Sequence, residues 1–222
     1  MALYAAWGRK VANAVDLDRE ERNFKIERVK RGKAVFTAAR VGGDPAEAFR
    51  TAFSGFNIVD FRVVDSFLGW MRDAPADART ALRELSAEPG AESIDRFVAL
   101  VPREAASGVG AALSLAPALL MGLDPENLPP WRSEPADMTR RLTGGYQVEE
   151  SATAEERYLY FLERLDPARS AMNADSLVLS ERLDAQGLAW TIAKYPAKDF
   201  TTWSDAEVGI STPGVRGNPP RT

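Results

Sequence analysis

The sequence predicts an all-α fold, an irregular multi-helix domain of about seven to nine helices joined by Pro/Gly-rich turns. Three observations lead to this prediction. Apolar residues recur at helical spacing along most of the chain, several segments carry N-capping signals, and stretches of alternating polar and apolar residues are almost missing. A chain of 222 residues, 45% hydrophobic and 27% charged, is long enough to bury a substantial core.

Capping signals mark two helix starts. Asp44 can cap a helix whose first residue is Pro45, and Glu47 lies three residues after the cap. Thr153 and Glu156 repeat this spacing directly before the amphipathic segment RYLYFLERL. We therefore expect helices to begin near residues 45 and 154.

Other segments are predicted helical from their apolar periodicity. In each of three segments the apolar residues lie on one helical face. They are Val64, Phe67, Leu68 and Met71 in the first, Ala78, Leu82 and Leu85 in the second, and Ile94, Phe97, Val98 and Val101 in the third. The segment FNIVDFRVV at 56–64 is rich in β-formers, but it is equally consistent with the entry to a helix. The longest apolar run, at 108–123, is shorter than the roughly 20 residues of a membrane span and contains Pro117. It predicts a core helix that is kinked or restarted at the proline.

The composition predicts one helical domain, residues 1–207, and a flexible linker or tail, residues 208–222, because the last segment is rich in Gly, Pro and small polar residues. The N-terminus shows no signal-peptide pattern, and the chain contains no cysteine. A cytoplasmic protein without a membrane contact is expected.

The residue inventory excludes several classes of catalysis. With no histidine and no cysteine, the chain cannot form a Ser-His-Asp site, a thiolate site or an HExxH zinc site. Gly32 and Lys33 do not form a phosphate loop, because Ala34 follows them and Arg28 occupies the place of the first glycine. We predict no catalytic residue, no metal and no cofactor. A carboxylate enzyme is the remaining alternative, using residues such as Glu149, Glu150, Glu155 and Glu156, although helix N-termini attract acidic residues without catalysis.

A basic segment stands out in this acidic chain, whose formal net charge is -4. Residues 19–40 contain eight basic residues and three glutamates. One interpretation is a solvated helix face with internal Glu to Arg pairs. The other is a phosphate-contacting face, since phosphate contact requires only clustered cations. The candidate DNA-binding residues on such a face are Arg22, Lys25, Arg28, Lys30, Arg31 and Lys33.

The segment LDPENLPPWRSEP, which we call the Pro-rich turn (residues 123–135), interrupts the helical pattern. We expect Trp131 to pack this turn onto the core, and Arg132 to pair with a carboxylate or with carbonyl groups at a helix end. The alternative is a functional turn in which Arg132 faces a phosphate group or a partner protein.

Several short motifs, taken in order, resemble the helical N-terminal domain of McrB-like AAA+ restriction proteins. They are DREER (18–22), AFRTAF (48–53), FLGW (67–70), GLDPENLPPWRSEP (122–135), EERYLYFLERL (155–165) and LDAQGLAW (183–190). Proteins of this family carry a turn of the type DP..YP.YR and a later DAQ.L.W at similar separations. Leu128 departs from this pattern, which has an aromatic residue at that position.

The resemblance implies a function. McrB-like proteins join a variable N-terminal module, often a DNA-recognition module, to a nucleotide-driven ring that recruits a nuclease in defence against foreign DNA. The chain is therefore expected to be a non-catalytic recognition or regulatory module, with DNA, an AAA+ motor domain and a nuclease subunit as partners. A helical protein-protein interaction module without nucleic-acid contact is the alternative.

Overall fold

The computed structural model describes residues 23–55, 58–106, 108–174, 179 and 181–194. Within these residues the chain forms nine α-helices and no strand, which confirms the all-α prediction. The helices are α1 (Asn23–Val41), α2 (Pro45–Phe53), α3 (Phe61–Asp73), α4 (Pro75–Ala87), α5 (Glu92–Leu100), α6 (Gly108–Leu120), α7 (Ser133–Leu142), α8 (Ala154–Ala174) and α9 (Arg182–Lys194). The predicted tail and Arg22 lie outside the described residues.

The predicted caps begin their helices as expected. The Asp44 carboxylate accepts hydrogen bonds from the backbone N–H groups of Ala46, at 2.9 Å, and Glu47, at 3.2 Å. At the start of α8, the Glu156 carboxylate accepts the Thr153 N–H at 2.8 Å while the Thr153 hydroxyl accepts the Glu156 N–H at 3.2 Å. This reciprocal pair is a capping box, which satisfies N–H groups that have no partner within the helix.

The β-rich segment 56–64 contains a helix start in its second half. The Asp60 carboxylate accepts the backbone N–H of Arg62 at 2.8 Å, and α3 runs from Phe61. Of the two interpretations of this segment, the structure therefore shows the entry to a helix.

Helices α4, α6 and α8 have the most neighbours in the helical assembly. Helix α4 contacts α1, α3, α5 and α6, whereas α8 contacts α5, α6, α7 and α9. Helix α6 lies between them and is buried along most of its length, including Pro117, as expected for a core helix. Its apolar character follows from this position, because it is surrounded by other helices.

Helix α1 crosses the residues after α6 at very short distance. A Cβ atom built on Gly122 would lie 2.8 Å from the carbonyl carbon of Gly32 and 3.0 Å from the backbone nitrogen of Lys33. Only two residues without side chains permit this approach. Gly32, which belongs to no phosphate loop, thus has a packing role.

Candidate functional sites

Lys25 does not belong to a solvent-exposed basic face. Its side chain is 2% exposed, and its ammonium group donates a hydrogen bond to the Gln186 side-chain oxygen at 2.6 Å. A cation in this position joins α1 to α9 and is not available to a phosphate group. The expectation that Lys25 contacts DNA is therefore corrected, because its place on α1 faces the core.

Arg28 is also engaged within the protein. Its half-buried guanidinium donates to the carbonyl oxygens of Ser54, at 3.2 Å, and Ala52, at 3.4 Å, where α2 ends. Burial, and then the positive charge of Arg31, lower the pKa of Arg28. Cations commonly bind the free carbonyl groups at a helix C-terminus, so Arg28 stabilises the α1–α2 junction.

Three of the predicted cations remain exposed on α1: Lys30, Arg31 and Lys33. We call these three residues the α1 cationic face. Glu27 lies beside them, with its carboxylate 3.6 Å from the Lys30 ammonium and 4.0 Å from the Arg31 guanidinium. Ion pairs of this exposed kind are weak and exchange readily with solvent ions. Of the five predicted cations that the structure describes, three therefore belong to this face.

The Pro-rich turn is held by side chains from α8 and α9. The buried Tyr158 hydroxyl donates to the Pro129 carbonyl at 2.8 Å. Arg182 donates its backbone N–H to the Glu126 carbonyl, at 2.9 Å, and a guanidinium N–H to the Asn127 carbonyl, at 3.2 Å. These bonds satisfy backbone carbonyls that no helix or strand would satisfy.

The guanidinium of Arg182 is itself oriented by the carboxylate of Asp166. It forms two hydrogen bonds with the Asp166 carboxylate, at 2.8 and 2.6 Å. This bidentate pair fixes the plane of the arginine. The Arg182 hydrogen bond lowers the pKa of Asp166 and raises the pKa of Arg182.

Trp131 and Arg132, the possible functional turn of the sequence prediction, are both half-buried. Trp131 packs against the core, and the Arg132 guanidinium lies 5.1 Å from the centre of the Trp190 ring. Arg132 also lies 3.9 Å from the Glu134 carboxylate. These contacts agree with the structural interpretation of the turn, and a ligand contact by Arg132 stays a prediction.

A cleft that sequence analysis did not anticipate opens beside Trp131. We call it the α7–α8 cleft, and its volume is about 240 Å³. Its walls come from the Pro-rich turn, from α7, from the segment 143–153 and from α8. The lining includes Trp131, Asp137, Arg140, Arg157, Tyr160 and Arg164. Only their assembly in three dimensions brings these residues together.

The four glutamates named for a carboxylate enzyme make different contacts. Glu156 belongs to the capping box, while the backbone carbonyls of Glu149 and Glu150 accept hydrogen bonds from Arg157. Burial, and then the charge of Asp95, raise the pKa of Glu155. Within the described residues no group of three or more Asp or Glu side chains is placed to hold a metal ion.

Comparisons with protein-family models, with curated proteins and with solved structures found no match. The resemblance to McrB-like domains therefore stays a prediction from the motifs. Among the helices that the structure describes, none is long and apolar enough to cross a membrane.

Proposed function

We propose that this chain is a non-catalytic recognition or regulatory module of a McrB-like restriction or anti-phage defence NTPase, and that it contacts DNA through the α1 cationic face. The observation that carries the proposal is the exposure of Lys30, Arg31 and Lys33 together on one helix, beside a single glutamate. Phosphate contacts require clustered and accessible cations, and these three residues meet that requirement. An AAA+ motor domain and a nuclease subunit would act on the bound DNA.

The number of exposed cations sets the salt dependence that we expect of such binding. Each phosphate that a cation neutralises adds about -0.9 to the slope of log K against log salt concentration. The three exposed cations among the described residues give a slope of about -2.7, whereas all six residues predicted from the sequence would give about -5.4. Between 50 and 200 mM salt, a slope of -2.7 corresponds to an affinity loss of about 40-fold.

Fluorescence anisotropy with a labelled DNA duplex, titrated at several salt concentrations, tests the proposal. The triple variant Lys30→Gln, Arg31→Gln and Lys33→Gln should abolish binding at low salt. A control with the same change of charge replaces three other exposed arginines by glutamine, namely Arg62, Arg72 and Arg103. Binding that is absent even at low salt, or that both triple variants weaken equally, would contradict DNA contact through α1.

A protein-protein interaction module is the second candidate, and one surface feature favours it. The Phe61 side chain is 67% exposed at the edge of a groove of about 340 Å³ that is also lined by Phe53, Val59 and Leu68. Exposed aromatic side chains are typical of protein interfaces. In this case the variant Phe61→Asp should prevent capture of the AAA+ motor or the nuclease subunit in a pull-down assay, and the triple variant of α1 should not.

A further inference from the structure

The α7–α8 cleft concentrates positive charge in a concave surface. Three arginines line it, namely Arg140, Arg157 and Arg164, and among the described lining residues Asp137 is the one acidic side chain. The chain as a whole carries a formal charge of -4, so this local excess of cations runs against the overall balance. Clefts lined by one sign of charge raise the local concentration of ions of the opposite sign.

Among the arginines of the cleft, Arg164 is the one whose guanidinium has no hydrogen-bond partner among the described residues. Its Nε atom is buried and forms no hydrogen bond with a described residue. The Arg164 guanidinium lies 5.4 Å from the centre of the Tyr160 ring, and it forms no hydrogen bond or ion pair with a described residue. A buried donor without an acceptor costs free energy, so the described protein groups do not stabilise this arginine. The two Nη groups of Arg164 also keep their donor capacity for an anion in the cleft.

The other two arginines have distinct tasks. Arg157 donates to the backbone carbonyls of Glu149, Glu150 and Ala152, at 2.8 to 3.1 Å, and so fixes the segment that closes one side of the cleft. Arg140 bonds to the Asp137 carboxylate through Nε and one Nη atom, at 3.2 and 2.5 Å. Its second Nη atom forms no hydrogen bond with a described residue, so Arg140 keeps donor capacity for an anion.

Aromatic side chains form the remaining wall. Trp131, Tyr160 and Phe161 line the cleft, and the exposed Tyr146 ring lies 4.7 Å from the Tyr160 ring, centre to centre. The Tyr160 hydroxyl donates to the Tyr146 carbonyl at 2.8 Å, which holds the Tyr160 ring in place. Rigid aromatic surfaces of this kind favour planar groups.

Gly145 lets the charged and aromatic walls approach each other. A Cβ atom on this residue would collide with the Tyr160 hydroxyl and lie 3.2 Å from Arg140 Cγ and 3.3 Å from Arg164 Cδ. Glycine at position 145 is therefore part of how the cleft is formed.

We infer that the α7–α8 cleft is a binding site for an oxyanion, phosphate or carboxylate, attached to a planar ring. The oxyanion accepts hydrogen bonds from Arg164 and Arg140, and the ring packs against Trp131 and Phe161. Guanidinium groups match the geometry of both oxyanions. The volume of about 240 Å³ suits a small ligand, since the pockets that bind drug-sized ligands measure about 300–1,000 Å³. This site shares no residue with the α1 cationic face and does not depend on DNA binding.

Isothermal titration calorimetry of the full chain with four compounds tests the inference. The compounds are phenyl phosphate, benzoate, inorganic phosphate and benzyl alcohol. We expect saturable 1:1 binding of phenyl phosphate, benzoate or both, with weaker binding of inorganic phosphate and benzyl alcohol. The stronger of the first two identifies the oxyanion as phosphate or carboxylate.

Variants locate the site. Arg164→Met keeps an apolar stem and should weaken binding roughly tenfold or more, because it removes charge-assisted hydrogen bonds. Arg164→Lys keeps the positive charge but lacks the planar guanidinium group. Its affinity should lie between those of the unaltered chain and Arg164→Met. Arg103→Met, an exposed arginine that does not line the cleft, is the matched control and should bind like the unaltered chain.

Thermal unfolding separates this role from a purely structural one. Arg164→Met should have an unchanged or higher Tm without ligand, since the variant removes a buried donor that has no acceptor. If Arg164→Met does not fold, Arg140→Gln replaces it in the titrations. Benzyl alcohol binding as tightly as the anions, titrations without saturation, or unaltered affinity in the variants of Arg164 and Arg140 would each overturn the inference.

Discussion

The contact between Gly32 and Gly122 leads to a prediction in which one type of substitution has opposite effects at two sites. In Gly122→Ala, the new methyl group would lie 2.8 to 3.0 Å from backbone atoms of Gly32 and Lys33. Backbone atoms cannot rotate away as a flexible side chain can, so α1 has to shift. Overpacking of this kind costs about 1–3 kcal/mol.

Gly69 provides the matched control. It lies inside α3, and a Cβ atom built on it would meet no atom within 4 Å. Alanine there should stabilise the protein by about 0.5–1 kcal/mol, because glycine loses more backbone entropy in a helix.

Urea denaturation and thermal unfolding measure both effects. In a chain of this size each kcal/mol changes Tm by roughly 2–4 °C. Gly122→Ala should lower Tm by roughly 2–12 °C, and Gly69→Ala should raise it by roughly 1–4 °C. If Gly122→Ala is as stable as the unaltered chain, or if both variants change stability in the same direction, the close contact between α1 and Gly122 is contradicted.

Three further variants test contacts that hold the Pro-rich turn and α8. Tyr158→Phe should destabilise the protein by about 1–3 kcal/mol in urea denaturation, because the buried Pro129 carbonyl loses its donor. Thr153→Ala should cost about 1 kcal/mol through loss of the capping box, and Thr153→Ser should restore stability. The hydrogen bond from Arg182 lowers the pKa of Asp166 in the folded protein. The ionised carboxylate therefore stabilises the fold fully above its unfolded pKa of about 3.9, and this stabilisation is lost as pH falls through the folded pKa. The stability difference between the unaltered chain and Asp166→Asn should therefore be largest near neutral pH and vanish in acid, and a difference that persists at pH 2 would argue against the ion pair.

Burial also raises the pKa of Tyr158 well above its ordinary value. A raised folded pKa means that the neutral tyrosine stabilises the fold fully below its unfolded pKa of about 10, and that this contribution is lost as pH rises. Alkaline unfolding should thus be less steep in Tyr158→Phe than in the unaltered chain. Equal pH dependence of the two proteins between pH 9 and 11 would contradict this account.

Local signals accounted for the predictable part of the fold. The Asp44 cap, the Thr153–Glu156 capping box and the core helix around Pro117 depend on residues within a few positions of one another. The segment 56–64 was ambiguous because its apolar residues suit a strand as well as a helix. In the structure the Asp60 carboxylate accepts a hydrogen bond from the Arg62 N–H and so caps the helix that begins at Phe61.

The functional surfaces depend on contacts between distant segments, which periodicity does not reveal. Lys25 and Arg28 belong to the same basic segment as Lys30, yet their partners are Gln186 and the carbonyl of Ser54. A run of cations therefore overstates the surface available to DNA. The α7–α8 cleft was not predictable because its arginines lie on two helices and face a turn.

The bond between Lys25 and Gln186 bears on how the chain folds during synthesis. The two residues are 161 positions apart, so this bond can form only after all of the intervening chain has been made. At about 5–20 residues per second, translation needs roughly 8–30 s to cover that separation. The hydrogen bond between Lys25 and Gln186 therefore belongs to a late stage of folding.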